Sequence, residues 1–192
     1  MEPDDEALLQ QAQRGDRRAL EGFWNRRSAE AFRLALLIGG SQDLARDALQ
    51  EAWMGLVSTL PGFDPAKGSA RGWLLSILRH KVQKLTWKQR RRPLSLDIPV
   101  SALDGGEATL GDLLVGGGAP PEAALQKREE IARMLQALEG LEFKMKEAVV
   151  CRWMMGMSDR EMAEALSLSP EAARQRAHRG LRVLRGILVK TV

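Results

Sequence analysis

A chain of 192 residues leaves room for one medium domain or two small ones, and an apolar share of 44% argues against disorder as the default. No apolar run approaches the roughly 20 residues of a membrane-spanning helix, and the acidic start Met1 to Glu6 lacks the blocks of a secretory signal, so the expected location is cytoplasmic, without membrane insertion. A single cysteine, Cys151, excludes an internal disulfide, and with only His80 and His178 a zinc site is not expected; no metal or cofactor is implied.

The net charge of +4 is unevenly spread. Residues 1–64 carry 7 Lys/Arg against 11 Asp/Glu, whereas residues 65–92 carry 9 Lys/Arg and no acid. Residues 93–126 hold five acids (Asp97, Asp104, Glu107, Asp112 and Glu122) and no base. Residues 171–192 are basic again, with 6 Lys/Arg and one acid. Two basic blocks separated by an acidic stretch suggest two nucleic-acid contacts on one chain, although solvated helix faces also produce such runs.

Apolar residues recur at helical spacing almost throughout, which predicts an all-α protein. The first predicted helix covers 4–14 and ends at Gly15. The second covers 16–38 and stops at Gly39-Gly40. Ser41 can cap a third helix reaching Leu60, with Pro61-Gly62 as terminator. On it Leu44, Ala48, Leu49, Ala52, Trp53, Leu56 and Leu60 form a core stripe, while Asp43, Asp47, Gln50 and Glu51 form an acidic ridge. Such a ridge is either plain solvated surface or a dock for a basic protein surface.

A loop from Phe63 to Gly68 leads to Ser69, a candidate cap for a long helix ending near Arg92, which Pro93 cannot continue. Trp73, Leu74, Ile77, Leu78, Val82 and Leu85 are its expected inward residues. Arg71, Arg79, His80, Lys84, Trp87, Lys88 and Arg91 are expected outward, with Lys67 just before them. Basic groups beside an outward aromatic suit single-stranded DNA, because cations hold the backbone while a ring or pocket receives an unstacked base. Trp87 could equally close the end of the core.

Residues 93–126 are punctuated by prolines and glycine pairs and read as an acidic flexible linker, with at most one short turn at Leu110–Leu114. Helical periodicity resumes near 122–140, 142–155, 158–166 and 170–189. The architecture is therefore two small helical domains: an N-terminal bundle over 1–92 and a C-terminal module over 127–192.

That module carries the most specific signal. Ser158 and Glu161 fit a capping box, and Met162, Ala163 and Leu166 follow on one face. After the turn Ser167-Leu168, Ser169-Pro170 fits a cap with proline at the first helical position. Ala173, Ala177, Leu181 and Leu184 form a buried stripe, and Arg174, Gln175, His178, Arg179 and Arg182 lie away from it. This is the layout of a helix-turn-helix, whose second helix enters a major groove. Arginine can read guanine edges and glutamine adenine, while other arginines neutralise phosphates. No phosphate-binding Gly-Lys-Ser/Thr loop or nucleophile triad is present, so no enzymatic activity is expected. A free-standing helix-turn-helix regulator would explain this module alone, and a helical adaptor would explain the basic faces as mere solvation.

The order of parts resembles the extracytoplasmic-function group of bacterial sigma factors over nearly the whole chain. Asp43 to Trp53 is similar to that family's polymerase-docking helix. Phe63-Asp64-Pro65 with Gly72-Trp73-Leu74 and Ile77-Leu78-Arg79 resembles the segment that melts and reads the minus-ten element. Leu110 to Leu114 with Pro121-Glu122 resembles the end of the interdomain linker, and Ser158 to Leu184 resembles the module that reads the minus-thirty-five element. The resemblance implies core RNA polymerase and promoter DNA, duplex and melted, as partners, together with an anti-sigma factor. It assigns polymerase binding to Asp43, Asp47, Gln50 and Glu51, and minus-ten contacts to Lys67, Arg71, Arg79, His80, Lys84, Trp87, Lys88 and Arg91. The recognition helix would use Arg174, Gln175, His178, Arg179 and Arg182. His80, Lys84, Ala172 and Ala173 stand where the family usually has Asn, Asp, Thr and Val, so the usual promoter preference is not implied.

Overall fold

The computed structural model describes residues 3–88 and 121–190, and among these there are helices and turns but no strand. Four helices come first: α1 (Asp5–Gln13), α2 (Arg17–Gly39), α3 (Gln42–Thr59) and α4 (Ala70–Lys88). Four more follow: α5 (Pro121–Glu139), α6 (Phe143–Val149), α7 (Asp159–Leu166) and α8 (Pro170–Lys190). Leu110–Leu114 and most of the acidic linker lie outside the described residues.

Local chemistry explains where the helices begin. The side chains of Asp4, Asp16 and Ser41 accept the first free backbone N–H groups of α1, α2 and α3. Ser69 Oγ accepts from Gly72 N at 3.0 Å at the start of α4. The expected capping box opens α7, with Ser158 and Glu161 each serving the other's backbone donor.

Helices α1 to α4 pack as a bundle, with α2 against α1, α3 and α4. Phe23, Phe32, Leu34, Leu36, Ile38, Leu44, Leu56, Leu74 and Leu78 are fully buried in it. Burying each such side chain stabilises the fold by about 1.5–3 kcal/mol before chain entropy is counted. In the C-terminal half, α5, α6 and α7 all rest on α8. Position 180 shows how closely, since a Cβ there would stand 2.7 Å from Cγ2 of Val149, so only glycine allows α8 to cross α6 at this distance.

Helix α6 does not continue to residue 155 as its apolar spacing predicts. It widens after Val149 into a π-helical turn over Val150–Met154, which leaves Trp153 exposed. The two helical domains also touch one another. Helix α4 packs along α7, and α2 touches α6 and the π turn. The buried apolar residues of both groups form one continuous cluster.

Candidate nucleic-acid interface

The face of α8 is built as its spacing predicts. Ala173, Ala177 and Leu184 are buried against α6 and α7, which turns Arg174, Gln175, His178, Arg179, Arg182 and Arg185 to solvent. Ser169 Oγ accepts from Ala172 N at 3.2 Å and fixes the entry of the helix. Ser167, in the turn between α7 and α8, sits at φ 54, the left-handed region that allows the chain to reverse so sharply. Gln175 Nε2 donates to Glu171 Oε1 at 3.3 Å, one turn back. Trp153 stands edge-on to the ring of His178 with centroids 6.0 Å apart. Helical spacing holds no sign of Trp153, because only the π turn brings it beside the recognition face.

The face of α4 divides in two. Lys67, His80 and Lys84 are exposed, and Trp87 is 82% exposed, which settles its position outside the core. Lys67 Nζ lies 3.6 Å from Asp64 Oδ2, and His80 Nδ1 lies 2.7 Å from the Ser76 carbonyl oxygen. The side chain of Lys88 and all of Arg91 lie outside the described residues.

Arg79 and Arg71 depart from the outward orientation expected of them. Arg79 is only 8% exposed, and its Nε and Nη2 donate to the Glu147 carboxylate at 2.6 and 3.1 Å. Glu147 is fully buried and also receives Arg176 Nη1 at 3.4 Å. Arg71 donates from Nε to Glu30 at 2.9 Å and from Nη1 to Glu161 on α7. The reason is geometric. Positions 72, 75, 79 and 82 form a second buried row on α4, and the C-terminal helices cover it. The inward set expected from spacing includes Val82 of this row but places Arg79 outward.

Before α4, a loop is held at both ends. Gln13 Nε2 donates to the carbonyls of Leu60 and Phe63 at 2.9 and 2.8 Å, while Ala70 N donates to Glu6 Oε1 at 2.8 Å. Phe63 and Trp73 meet at 5.0 Å between ring centroids. Together with Asp64, Lys67, Ser69 and Ser76 they line a pocket of about 210 Å³, with Glu164 of α7 at its edge. An aromatic floor with polar walls can receive a planar heterocycle and hydrogen-bond its rim.

On α3 Asp43, Asp47 and Gln50 are exposed along one row, which Met54 and Val57, also exposed, continue. Glu51 turns aside and pairs with Lys81 at 3.6 Å. The ridge is thus acidic at one end and apolar at the other.

Electrostatics tie the two halves together. Burial alone would raise the Glu161 carboxyl, but hydrogen bonds from Ser158 and the Arg71 guanidinium outweigh it and hold the group below its ordinary value. Burial also works against the Arg71 guanidinium, yet Glu30 and Glu161 raise it further. At the π turn, burial pushes the Cys151 thiol up to about 12, with Glu147 adding to the effect. The thiol is therefore held in its unreactive form.

Comparison with known proteins identifies a family for each of the two helical domains. Residues 24–92 match the family described as Sigma-70 region 2, and residues 137–186 match Sigma-70, region 4. The chain is 29% identical to the RNA polymerase sigma factor CnrH of Cupriavidus metallidurans, covering 97% of this chain and 95% of that one. It is 28% identical to the ECF RNA polymerase sigma factor SigX of Bacillus subtilis, covering 72% and 68%. Among solved structures, CnrH in complex with the cytosolic domain of CnrY shares the fold, with a TM-score of 0.69 and 23% identity over 98% of this chain and 99% of that one.

Proposed function

Starting from the premise that the chain belongs to the extracytoplasmic-function group of bacterial RNA polymerase sigma factors, and so directs core RNA polymerase in promoter-specific transcription initiation, we propose a division of labour among its parts. Residues 1–92 dock the polymerase and capture the melted minus-ten element. Residues 93–126 link the domains, and residues 127–192 read the minus-thirty-five element as duplex.

The observation that carries this reading is the contrast between two DNA-facing surfaces. The exposed row Arg174, Gln175, His178, Arg179 and Arg182 has a flat, alanine-backed base and suits a major groove, where arginine and glutamine read base edges bidentately. The pocket of Phe63, Asp64, Lys67, Ser69, Trp73 and Ser76 instead suits one extruded base. Lys84 and Trp87 continue that surface along α4. Melting then draws on binding energy gained by capturing exposed bases, and the chain needs no catalytic group of its own. It works in the cytoplasm; no helix among the described residues is long and apolar enough to cross a membrane.

The exposed ridge Asp43, Asp47 and Gln50, extended by Met54 and Val57, is the polymerase dock. A free-standing regulator would have no use for it. An inhibitory anti-sigma protein is a further partner, a reading supported by the CnrH relative solved in complex with the cytosolic domain of CnrY.

Run-off transcription with core polymerase tests the assignment. Asp43→Lys/Asp47→Lys should abolish both product and retention of polymerase in a pull-down, with helical content unchanged. Both residues are exposed and paired with nothing in the core, so wild-type retention by this variant would remove the ridge from the dock.

A further inference from the structure

The π turn that ends α6 is pinned at both ends. Val150 and Cys151 at its start and Met157 just beyond it are buried. Met155 N donates to the Val150 carbonyl and Met157 N to the Cys151 carbonyl, each at 3.0 Å. Arg152 Nη1 reaches across to the Met157 carbonyl at 3.0 Å and pairs with Asp159 at 3.2 Å. Gly156, at φ 62, takes the left-handed conformation that turns the chain toward α7. Met154 and Met155 pack against the core, while the turn sends Trp153 outward and leaves it 43% exposed.

An exposed tryptophan by itself is ordinary surface. This one stands edge-on to His178, with ring centroids 6.0 Å apart and planes at 82°, the geometry of a favourable aromatic pair. His178 lies on the exposed row of α8, with Arg174 and Arg182 one turn to either side. An exposed imidazole with no neighbour samples several rotamers, and contact with a base edge must first order it. A ring held on a pinned turn of another helix orders the imidazole beforehand. Such π turns are frequent at functional sites.

Resting on the assignment of α8 as the duplex reader, we propose that Trp153 is a positioning residue for DNA recognition. It holds the His178 imidazole in one orientation, so that a ring nitrogen addresses a single base edge of the minus-thirty-five element. That nitrogen donates when it carries a proton and accepts when it does not, and the major groove offers partners of both kinds. Trp153 acts through the histidine and adds selectivity, while the neighbouring arginines supply the charge.

The test uses holoenzyme, core polymerase with the full chain, selecting promoters from a library randomised over the minus-thirty-five element. His178→Ala should flatten the preference at one base pair by about two- to tenfold, the worth of one hydrogen bond. Trp153→Leu should flatten the same base pair, and Trp153→Phe should restore most of it. Trp153→Leu added to His178→Ala should cost nothing further there. In the free chain, the ring-proton resonances of His178 should move on Trp153→Leu, while those of His80, the other histidine, stay in place.

A wild-type profile for Trp153→Leu beside a flattened one for His178→Ala would overturn the positioning role and leave α8 as the reader. Additive losses, or losses at different base pairs, would mean that Trp153 touches DNA itself and would overturn it equally. Unmoved His178 resonances in Trp153→Leu would remove the ring pair from solution. A wild-type profile for His178→Ala would withdraw the histidine as a reader and Trp153 with it. Arg174→Ala in the same library then shows whether the assignment of α8 survives.

Discussion

Helices α4 and α8 carry the same sequence signal, a dense set of basic residues on a helix with an apolar stripe, and meet opposite fates. On α8 the six basic or polar residues opposite Ala173, Ala177 and Leu184 all remain exposed. On α4 Arg71 and Arg79 are drawn into Glu161 and Glu147 of the C-terminal domain, whereas His80, Lys84 and Trp87 stay exposed. Basic spacing on a helix therefore reports an anion-seeking face, and the fold decides whether the anion is a phosphate or a glutamate.

The sharpest way to break this comparison is to remove one arginine from each helix. Arg79→Ala leaves Glu147 buried with Arg176 alone, 3.4 Å away. Breaking such a buried pair costs about 3–5 kcal/mol, enough to open the contact, so small-angle X-ray scattering should show a larger radius of gyration. Arg174→Ala, exposed and outside every interdomain contact, should leave the scattering curve unchanged. An unaltered radius for Arg79→Ala would mean that the pair does not hold the domains together.

Within α8 the expected effects are smaller and separable. Arg174→Ala or Gln175→Ala should change the preferred duplex sequence, since one bidentate pairing with a base edge supplies about 1–3 kcal/mol of discrimination. Arg185→Ala should weaken binding uniformly and lower the log-log salt slope by about 0.9. Binding titrations over a duplex library at several salt concentrations separate the two. Equal reductions in affinity on every sequence for all three variants would withdraw Arg174 and Gln175 as base readers.

The smallest effect concerns pH. The Glu161 carboxyl lies below its ordinary value of 4.5 in the folded chain. A depressed carboxyl stabilises the state that depresses it, fully above that ordinary value, and the contribution fades as pH falls through the lower folded value. The contact with Arg71 should therefore loosen only below about pH 4.5, and cross-linking of α4 to α7 should decline there and not near neutrality. Glu161→Gln should flatten this acid response.

How much of this is legible in the sequence depends on whether a signal is local. Caps, the helix-turn-helix turn and the stripe on α8 are set by neighbours within a few residues, so Ser41, Ser158 and Ser169 announce their helices. The ridge Asp43, Asp47 and Gln50 is likewise visible because a helix with one buried face has only one way to turn. Arg79 defeats the spacing argument because α4 is buried on two faces, and its second cover comes from residues about 70 positions later in the chain. Glu147 and Glu164 carry no sequence mark for the same reason. Trp153 escapes because a π turn breaks the helical count that would have assigned its direction.

The central claim, that α4 handles opened DNA and α8 handles duplex, is tested most directly by run-off transcription on two templates of one promoter, one fully paired and one carrying an artificial bubble at the minus-ten element. Two exposed-residue variants are compared with wild type: Lys84→Ala/Trp87→Ala on α4 and Arg174→Ala/Arg179→Ala on α8. The α4 variant should lose product on both templates, because the captured strand is present in each. The α8 variant should lose product on the paired template and recover much of it on the bubble, where capture of the open strand substitutes for duplex anchoring. Identical ratios of product on the two templates for the two variants would contradict the division of labour.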